Sequence, residues 1–306
     1  MLVHPGNHIG DTWYYVQDKF VHCYYLTCPD NIERHTAWDV CHATSQDLVS
    51  WEIQGIVLRR GITNEWDRNC LATGTIIRFE NKYWMAYTAR WNEPEVAIGL
   101  AVSEDLYIWN KCNYNPITKP DERFYEIKGS GHRNLTNWRD PFLFGHDGYI
   151  YHYVCASSNT GLHDRRGTLG VARTRSMKKW EVLPPPVVDP VVQELECPHL
   201  YFTNDKCFLI FSSFPFLFSD DVQAKYGDKL RHSSYYMIGD TIFGPFRMMS
   251  MEPIIPSSYP IQPYACRVIC FKQDHYIIGT VWDDKADYIC DPIPLQVTNS
   301  TIRVIV

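Results

Sequence analysis

Asp147-Gly148-Tyr149-Ile150-Tyr151-His152-Tyr153-Val154 is the stretch on which the fold reading rests. An Asp-Gly pair accepts the positive φ of a tight two-residue turn, and the run behind it is rich in aromatic and β-branched residues, so it reads as a turn feeding a strand. The same pattern recurs in Asp18-Lys-Phe-Val-His-Cys-Tyr-Tyr-Leu26 and Asn81-Lys-Tyr-Trp-Met-Ala-Tyr-Thr-Ala89. It returns in Asp205-Lys-Cys-Phe-Leu-Ile-Phe211 and Asp274-His-Tyr-Ile-Ile-Gly-Thr-Val281. Starts at 18, 81, 147, 205 and 274 give spacings of 63, 66, 58 and 69 residues. Strand-like runs precede each turn, at Trp13–Val16, Thr75–Phe79, Phe142–Phe144, Leu200–Phe202 and Val268–Phe271.

A second element follows each hairpin. Ser45-Gln-Asp-Leu-Val-Ser-Trp51 and Ser103-Glu-Asp-Leu-Tyr-Ile-Trp109 share Ser-x-Asp-Leu-x-x-Trp, Thr174-Arg-Ser-Met-Lys-Lys-Trp180 is a looser copy, and Gly239–Phe246 holds the same place in the fourth unit. These read as turns to an outer strand, with the Trp packing between neighbouring sheets. Five divergent four-strand units of about sixty residues, without long helical patterns, describe a five-bladed β-propeller, an all-β fold. It takes up residues 1–306 as a single domain, with Thr301–Val306 expected to complete a blade and close the ring.

Composition narrows the function. The chain has 306 residues, 29 Lys+Arg against 35 Asp+Glu, and a net charge of −6. That balance argues against nucleic acid as a partner, since phosphate binding needs a basic surface. No apolar run approaches the roughly 18 residues of a membrane span. The start, Met1-Leu-Val-His-Pro-Gly6, lacks the basic and apolar regions of a signal peptide, so a cytoplasmic location is expected. Eleven cysteines, odd in number and without a C-x-x-C pair, read as free thiols rather than zinc ligands. No metal or cofactor is expected. The 44 aromatic residues offer platforms for sugars or bases.

Acidic residues stand at the start of three innermost strands. Asp11 lies seven residues before Asp18, Asp140 seven before Asp147, and Glu196 nine before Asp205. Innermost strands of a propeller line its channel, so the three carboxylates are expected at equivalent places around one mouth. Paired carboxylates flanking a glycosidic bond are the usual apparatus of glycoside hydrolysis, and a third can hold a sugar hydroxyl or tune its neighbours. An oligosaccharide or small glycoside is the expected substrate.

These residues carry a resemblance. Trp138-Arg-Asp-Pro-Phe142 resembles the Arg-Asp-Pro motif, and Glu194-Leu-Glu-Cys-Pro-His199 the Glu-Cys-Pro motif, of glycoside hydrolase family 32, the invertases and fructanases. His42-Ala-Thr-Ser-Gln-Asp-Leu-Val-Ser-Trp-Glu52 is similar to a further family segment, and Asp67–Thr75 sits where the family has Ser-Gly-Ser. The resemblance runs from about residue 8 to 215. It implies a retaining β-fructofuranosidase with Asp11 as nucleophile, Glu196 as general acid/base, Asp140 as the stabiliser gripping sugar hydroxyls, and Arg139 holding the carboxylates. Two departures stand out. The family's Trp-x-Asn-Asp-Pro-Asn-Gly is here His8-Ile-Gly-Asp-Thr-Trp13, and Ser-Gly-Ser is Thr73-Gly74-Thr75. The family's C-terminal β-sandwich is expected to be absent.

Other readings remain open. Family 43, the arabinofuranosidases and xylosidases, uses the same propeller and three acids with inversion. A propeller that only binds carbohydrate is the non-enzymatic alternative, and transfer to a second sugar is a variant of the first reading. Each acid also has a plainer role: Asp11 capping a turn, Asp140 paired with Arg139, Glu196 simply buried. Trp13, Trp66 and Trp138 either stack on sugar or pack between blades. Asp39, Asp67 and Thr73 are candidates for polar contacts with substrate, as are His8, His132, His163 and His199.

Overall fold

Hairpins begin the architecture. In the computed structural model, which describes residues 1–92, 95–127, 136–203, 205–283 and 286–305, Gln17 pairs with Phe20 and His146 with Tyr149, placing Asp18 and Asp147-Gly148 in tight turns. Asp147 and Gly148 take φ of 48° and 73°. In two repeats the turn sits earlier than the pattern suggests. Phe79 pairs with Lys82 and Phe271 with Asp274, so the turning residues are Glu80-Asn81 and Lys272-Gln273, all at positive φ. Pairing partners of the flanking strands, rather than the best turn-forming residues, set those positions.

Four antiparallel strands follow one another in each of the first four blades. Blade 1 holds Asn7–Gln17, Phe20–Pro29, Asp39–Ser45 and Glu52–Leu58. Blade 2 holds Cys70–Phe79, Lys82–Asn92, Glu95–Ser103 and Asn110–Lys111. Blade 3 holds Trp138–His146, Tyr149–Ser157, Gly167–Thr174 and Glu181–Leu183. Blade 4 holds Glu196–Phe202, Cys207–Ser213, Ser233–Gly239 and Arg247–Met248. Blade 5 starts with Tyr264–Phe271 and Asp274–Val281 and ends with Ile293–Val297 and Ile302–Val304. The C-terminal strand completes blade 5 as expected, with Val306 outside the described residues. The ring is closed from the other end of the chain, because Leu2–Val3 pairs with Tyr288–Ile289 within the blade 5 sheet.

The outer turns share one chemistry. Ser45 Oγ accepts the Leu48 amide at 2.8 Å, Asp47 Oδ1 accepts the Val49 and Ser50 amides at 2.9 and 2.7 Å, and Trp51 Nε1 donates to the Leu48 carbonyl. Ser103, Asp105 and Trp109 repeat every one of these bonds. The Asp47 carboxylate, fed by two backbone N–H groups, is held down at about 2. Leu48, Leu106 and Met177, at the same place in three turns, all adopt positive φ, a strain the buried side chains and the capped amides offset.

Hydrophobic clusters lie between neighbouring blades, leaving the centre of the ring to polar groups. Trp13, Tyr24, Trp38, Tyr87 and Trp109 knit blades 1 and 2, and Trp138, Val154, Ile98 and Tyr125 knit blades 2 and 3. Trp138 lies flat enough over blade 3 that a Cβ on Gly170 would come within 2.4 Å of its ring. Gly170→Ala is therefore expected to cost about 1–3 kcal/mol through overpacking. A urea midpoint equal to wild type would show that the Trp138 contact is not tight.

Candidate active site

Each innermost strand breaks register near one end, and the breaks gather around the channel. The shifts fall between Ile9 and Thr12, Ala72 and Gly74, Arg139 and Phe142, Glu196 and His199, and Tyr264 and Arg267. A bulge re-aims side chains that a regular strand would alternate, so each blade can point a chosen residue into the channel. Asp140, Cys197 and Ala265 stand at φ of 60°, 51° and 50° within their bulges.

The three acids are not equivalent, contrary to the spacing argument. Relative to the bulge, Glu196 is the last paired residue before it, Asp140 the first residue inside, and Asp11 the second. Arg139 and Tyr264 share the Glu196 position in blades 3 and 5. Counting from the hairpin turn misses this, because the number of pairs between turn and bulge differs among blades.

The bulges deliver one pocket. Asp11, Arg139, Asp140 and Glu196 line it together with Glu194, Cys197, Tyr264 and Trp282. Arg139 Nη2 donates to Glu194 Oε2 at 2.5 Å and to Glu196 Oε1 at 2.9 Å, and its Nε lies 3.7 Å from Asp140 Oδ2. Tyr264 donates its hydroxyl to the other Glu196 oxygen. Asp140 Oδ2 accepts the Cys197 amide at 3.0 Å, and the Asp140 amide donates to Thr88 Oγ1 at 2.7 Å. Asp11 accepts the Thr73 hydroxyl and has the Cys197 thiol 3.6 Å away. Beneath it, Arg267 is 5% exposed and donates to the Cys197 carbonyl at 2.9 Å.

Burial dominates the electrostatics. It pushes the Asp11 carboxyl up, against the Thr73 hydrogen bond, with the Glu196 charge adding to the rise and Arg267 opposing it. It lifts Asp140 to about 6 even though Arg139 pulls the other way and Asp11 adds to the rise. Asp11, Asp140 and Cys197 bring donor atoms within 4.8 Å of one another, the one cluster among the described residues with the spacing of a metal site. The Arg139 guanidinium beside it already supplies the positive charge such a cluster would seek.

Of the remaining sequence candidates among the described residues, only Thr73 is hydrogen-bonded to one of the three acids. Trp13 is buried and stacks on Tyr24, and Trp138 is buried with its Nε1 donating to Thr118, so both pack blades. Asp39 accepts the Arg60 amide and guanidinium at 2.8 and 3.1 Å, away from the pocket. Asp67 is buried between Lys111 and the Tyr87 hydroxyl. Trp66 packs on Tyr87 and lines a separate cavity that shares Val96 with the pocket. His199 accepts the Val268 amide inside the ring, where burial drives its pKa well down. His8 pairs with Asp287, His163 contacts Gln193 on the outside, and His132 lies outside the described residues. Sequence reading passed over Glu194, Tyr264, Trp38, His35 and Trp282. Glu194 was in view within the Glu-Cys-Pro segment; the others carry no motif, and only their place beside the bulges marks them.

Residues 10–292 match the Glycosyl hydrolases family 32 N-terminal domain. The chain belongs to that family. It is 31% identical over 301 aligned positions to a levansucrase, Lscgamma, of Pseudomonas syringae pv. actinidiae, covering 84% of this chain and 66% of that one. The chain spans 61–66% of the length of such levansucrase relatives. Among solved structures, an inulosucrase from Halalkalicoccus jeotgali bound to kestose superposes with a TM-score of 0.76 at 18% identity, covering 98% of this chain and 87% of that one. Sucrose-6-phosphate hydrolase from Lactobacillus gasseri superposes at 0.75 and 19% identity, covering 99% and 62%. Both share the propeller fold.

A raised carboxyl binds its proton more tightly in the folded chain than in the unfolded one. The Asp140 contribution to stability is thus full below about pH 4 and lost as pH rises through about 6. Asp140→Asn is expected to raise the melting temperature by several degrees at pH 7 and by little at pH 4. Equal melting temperatures at pH 7 would mean that the carboxylate is not destabilised by its burial.

Proposed function

We propose that this family 32 propeller cleaves a β-fructofuranoside with retention, using Asp11 as nucleophile, Glu196 as general acid/base and Asp140 as stabiliser. The observation that carries the reading is the convergence of these three carboxyls, from three blades, in one pocket with Arg139 and Tyr264 fixing Glu196. The Asp11 carboxylate forms a bond to the anomeric carbon as the bond to the leaving oxygen breaks, and that oxygen takes the Glu196 proton. In the second half Glu196 takes a proton from the incoming hydroxyl, which displaces Asp11. Asp140 accepts hydrogen bonds from ring hydroxyls, and these strengthen where water is excluded. Tyr264 and Arg139 hold the Glu196 oxygens through both halves.

Family membership supports fructosides over the inverting arabinosides of family 43. Relatives named levansucrase and inulosucrase support a second outcome of the same intermediate, transfer of the fructosyl unit to a sugar instead of water. Residues 1–306 are proposed to form one catalytic domain, acting on sucrose or a small oligosaccharide. The cysteines form no disulfide among the described residues, which is consistent with a reducing, cytoplasmic setting.

Glu196→Gln is expected to lower kcat on sucrose by about 10²–10⁴-fold while leaving the circular dichroism spectrum intact. Retention of more than roughly a tenth of the wild-type rate would sink the assignment. The acid limb of kcat/KM should lie near pH 6, since Asp140 must be ionised to accept hydroxyl protons. A limb at or below about pH 4, the ordinary carboxylate range, would exclude Asp140 from that role.

A further inference from the structure

The pocket has two unlike walls. Arg139, Glu194 and Asn137 make one, while Tyr264, Trp282, His35 and Trp38 make the other. The aromatic wall does not stop at the pocket. Tyr264 lies 4.0 Å from the His232 ring, His232 stacks on Phe214 at 4.1 Å and 12°, and Phe214 stacks on Phe216 at 5.2 Å and 28°. Trp282 lies over the same His232, 5.9 Å away and nearly parallel. A row of rings therefore runs from the carboxyls of the pocket outward over blade 4, ending on Phe216, which is 57% exposed.

The chain spends extra length to place that end. The link between the second and third strands of blade 4 is nineteen residues, 214–232, against nine for the same link in blade 1, 30–38, and in blade 3, 158–166. Leu217, Phe218, Val222 and Leu230 pin the segment into the blade 3–4 core. The short helix Asp220–Tyr226 lends Gln223, whose amide donates to the Phe218 carbonyl at 2.6 Å and the Phe216 carbonyl at 3.4 Å. Anchored on both sides, an exposed Phe keeps its position, so a ligand stacking on it incurs little ordering cost.

We propose that the exposed Phe216, backed by the stacked rings of Phe214 and His232, ends a track that carries an oligosaccharide outward from the unit held by the three acids, with a distal glycosyl unit lying on the open Phe216 face. Sugar rings present C–H faces that stack on aromatic rings, and hydroxyl edges that face water. The ring contacts that join Phe216 to the pocket-lining Tyr264 give the track its occupant, the rest of the same substrate chain. The inference rests on the fructoside reading.

Initial rates would be measured on sucrose, kestose and the inulin-type tetrasaccharide one fructosyl unit longer, for wild type, Phe216→Ala and Phe216→Trp. Wild-type KM should fall as the chain lengthens. Phe216→Ala should raise the ratio of tetrasaccharide KM to sucrose KM by about 3–10-fold, and Phe216→Trp, which keeps the platform, should leave it near wild type. An unchanged ratio in Phe216→Ala, with sucrose turned over normally, overturns the track alone. Wild-type protein that neither cleaves nor transfers from any of the three overturns the fructoside reading and the track with it.

Discussion

Four carboxyl groups share one pocket, and the Arg139 guanidinium is the charge that makes this tenable. It reaches Glu194, Glu196 and Asp140 at once, and is itself only 13% exposed. Removing Arg139 from such a buried set would leave several carboxylates facing one another without their cation, which is far more costly than never having assembled it. The planar fork of donors lets a single side chain hold two carboxylates in fixed orientation, something an ammonium cannot do. Even so the compensation is partial: Asp11 and Asp140 remain above the ordinary carboxylate range. The site keeps that unrelieved tension, and the blade cores hold it in place.

The bulges are the geometric counterpart of that charge set. A propeller made of regular strands would alternate residues toward and away from the channel and could not aim Arg139, Asp140 and Cys197 at one spot. By breaking register in every innermost strand, the chain takes Glu196, Asp140 and Asp11 from three successive bulge positions in three blades. The strained φ of Asp140 and Cys197 is stabilised by hydrogen bonds from within the site, Thr88 on one side and the Cys197 amide to Asp140 on the other. Structure and chemistry are therefore one network. The aromatic side chains of Tyr264, Trp282, His35 and Trp38 complete the lining of the pocket.

Local chemistry was readable from the residues themselves. Asp147-Gly148 and the Ser-x-Asp-Leu-x-x-Trp turns fold through contacts within a few residues, so their sequence determined both the repeat and the five-bladed ring. Arg139-Asp140 and Glu196-Cys197 were equally visible, because short motifs at the head of a strand carry their position with them. What only the tertiary structure decided depends on pairing across long separations. The offset among the three acids follows from how many residues pair between turn and bulge. Ring closure by Leu2–Val3 joins positions nearly 290 residues apart. Tyr264 meets Glu196 across 68 residues, and Asp39 and Asp67 are claimed by Arg60 and Lys111. Such contacts are selected by packing of whole blades, and no local pattern of residues encodes them.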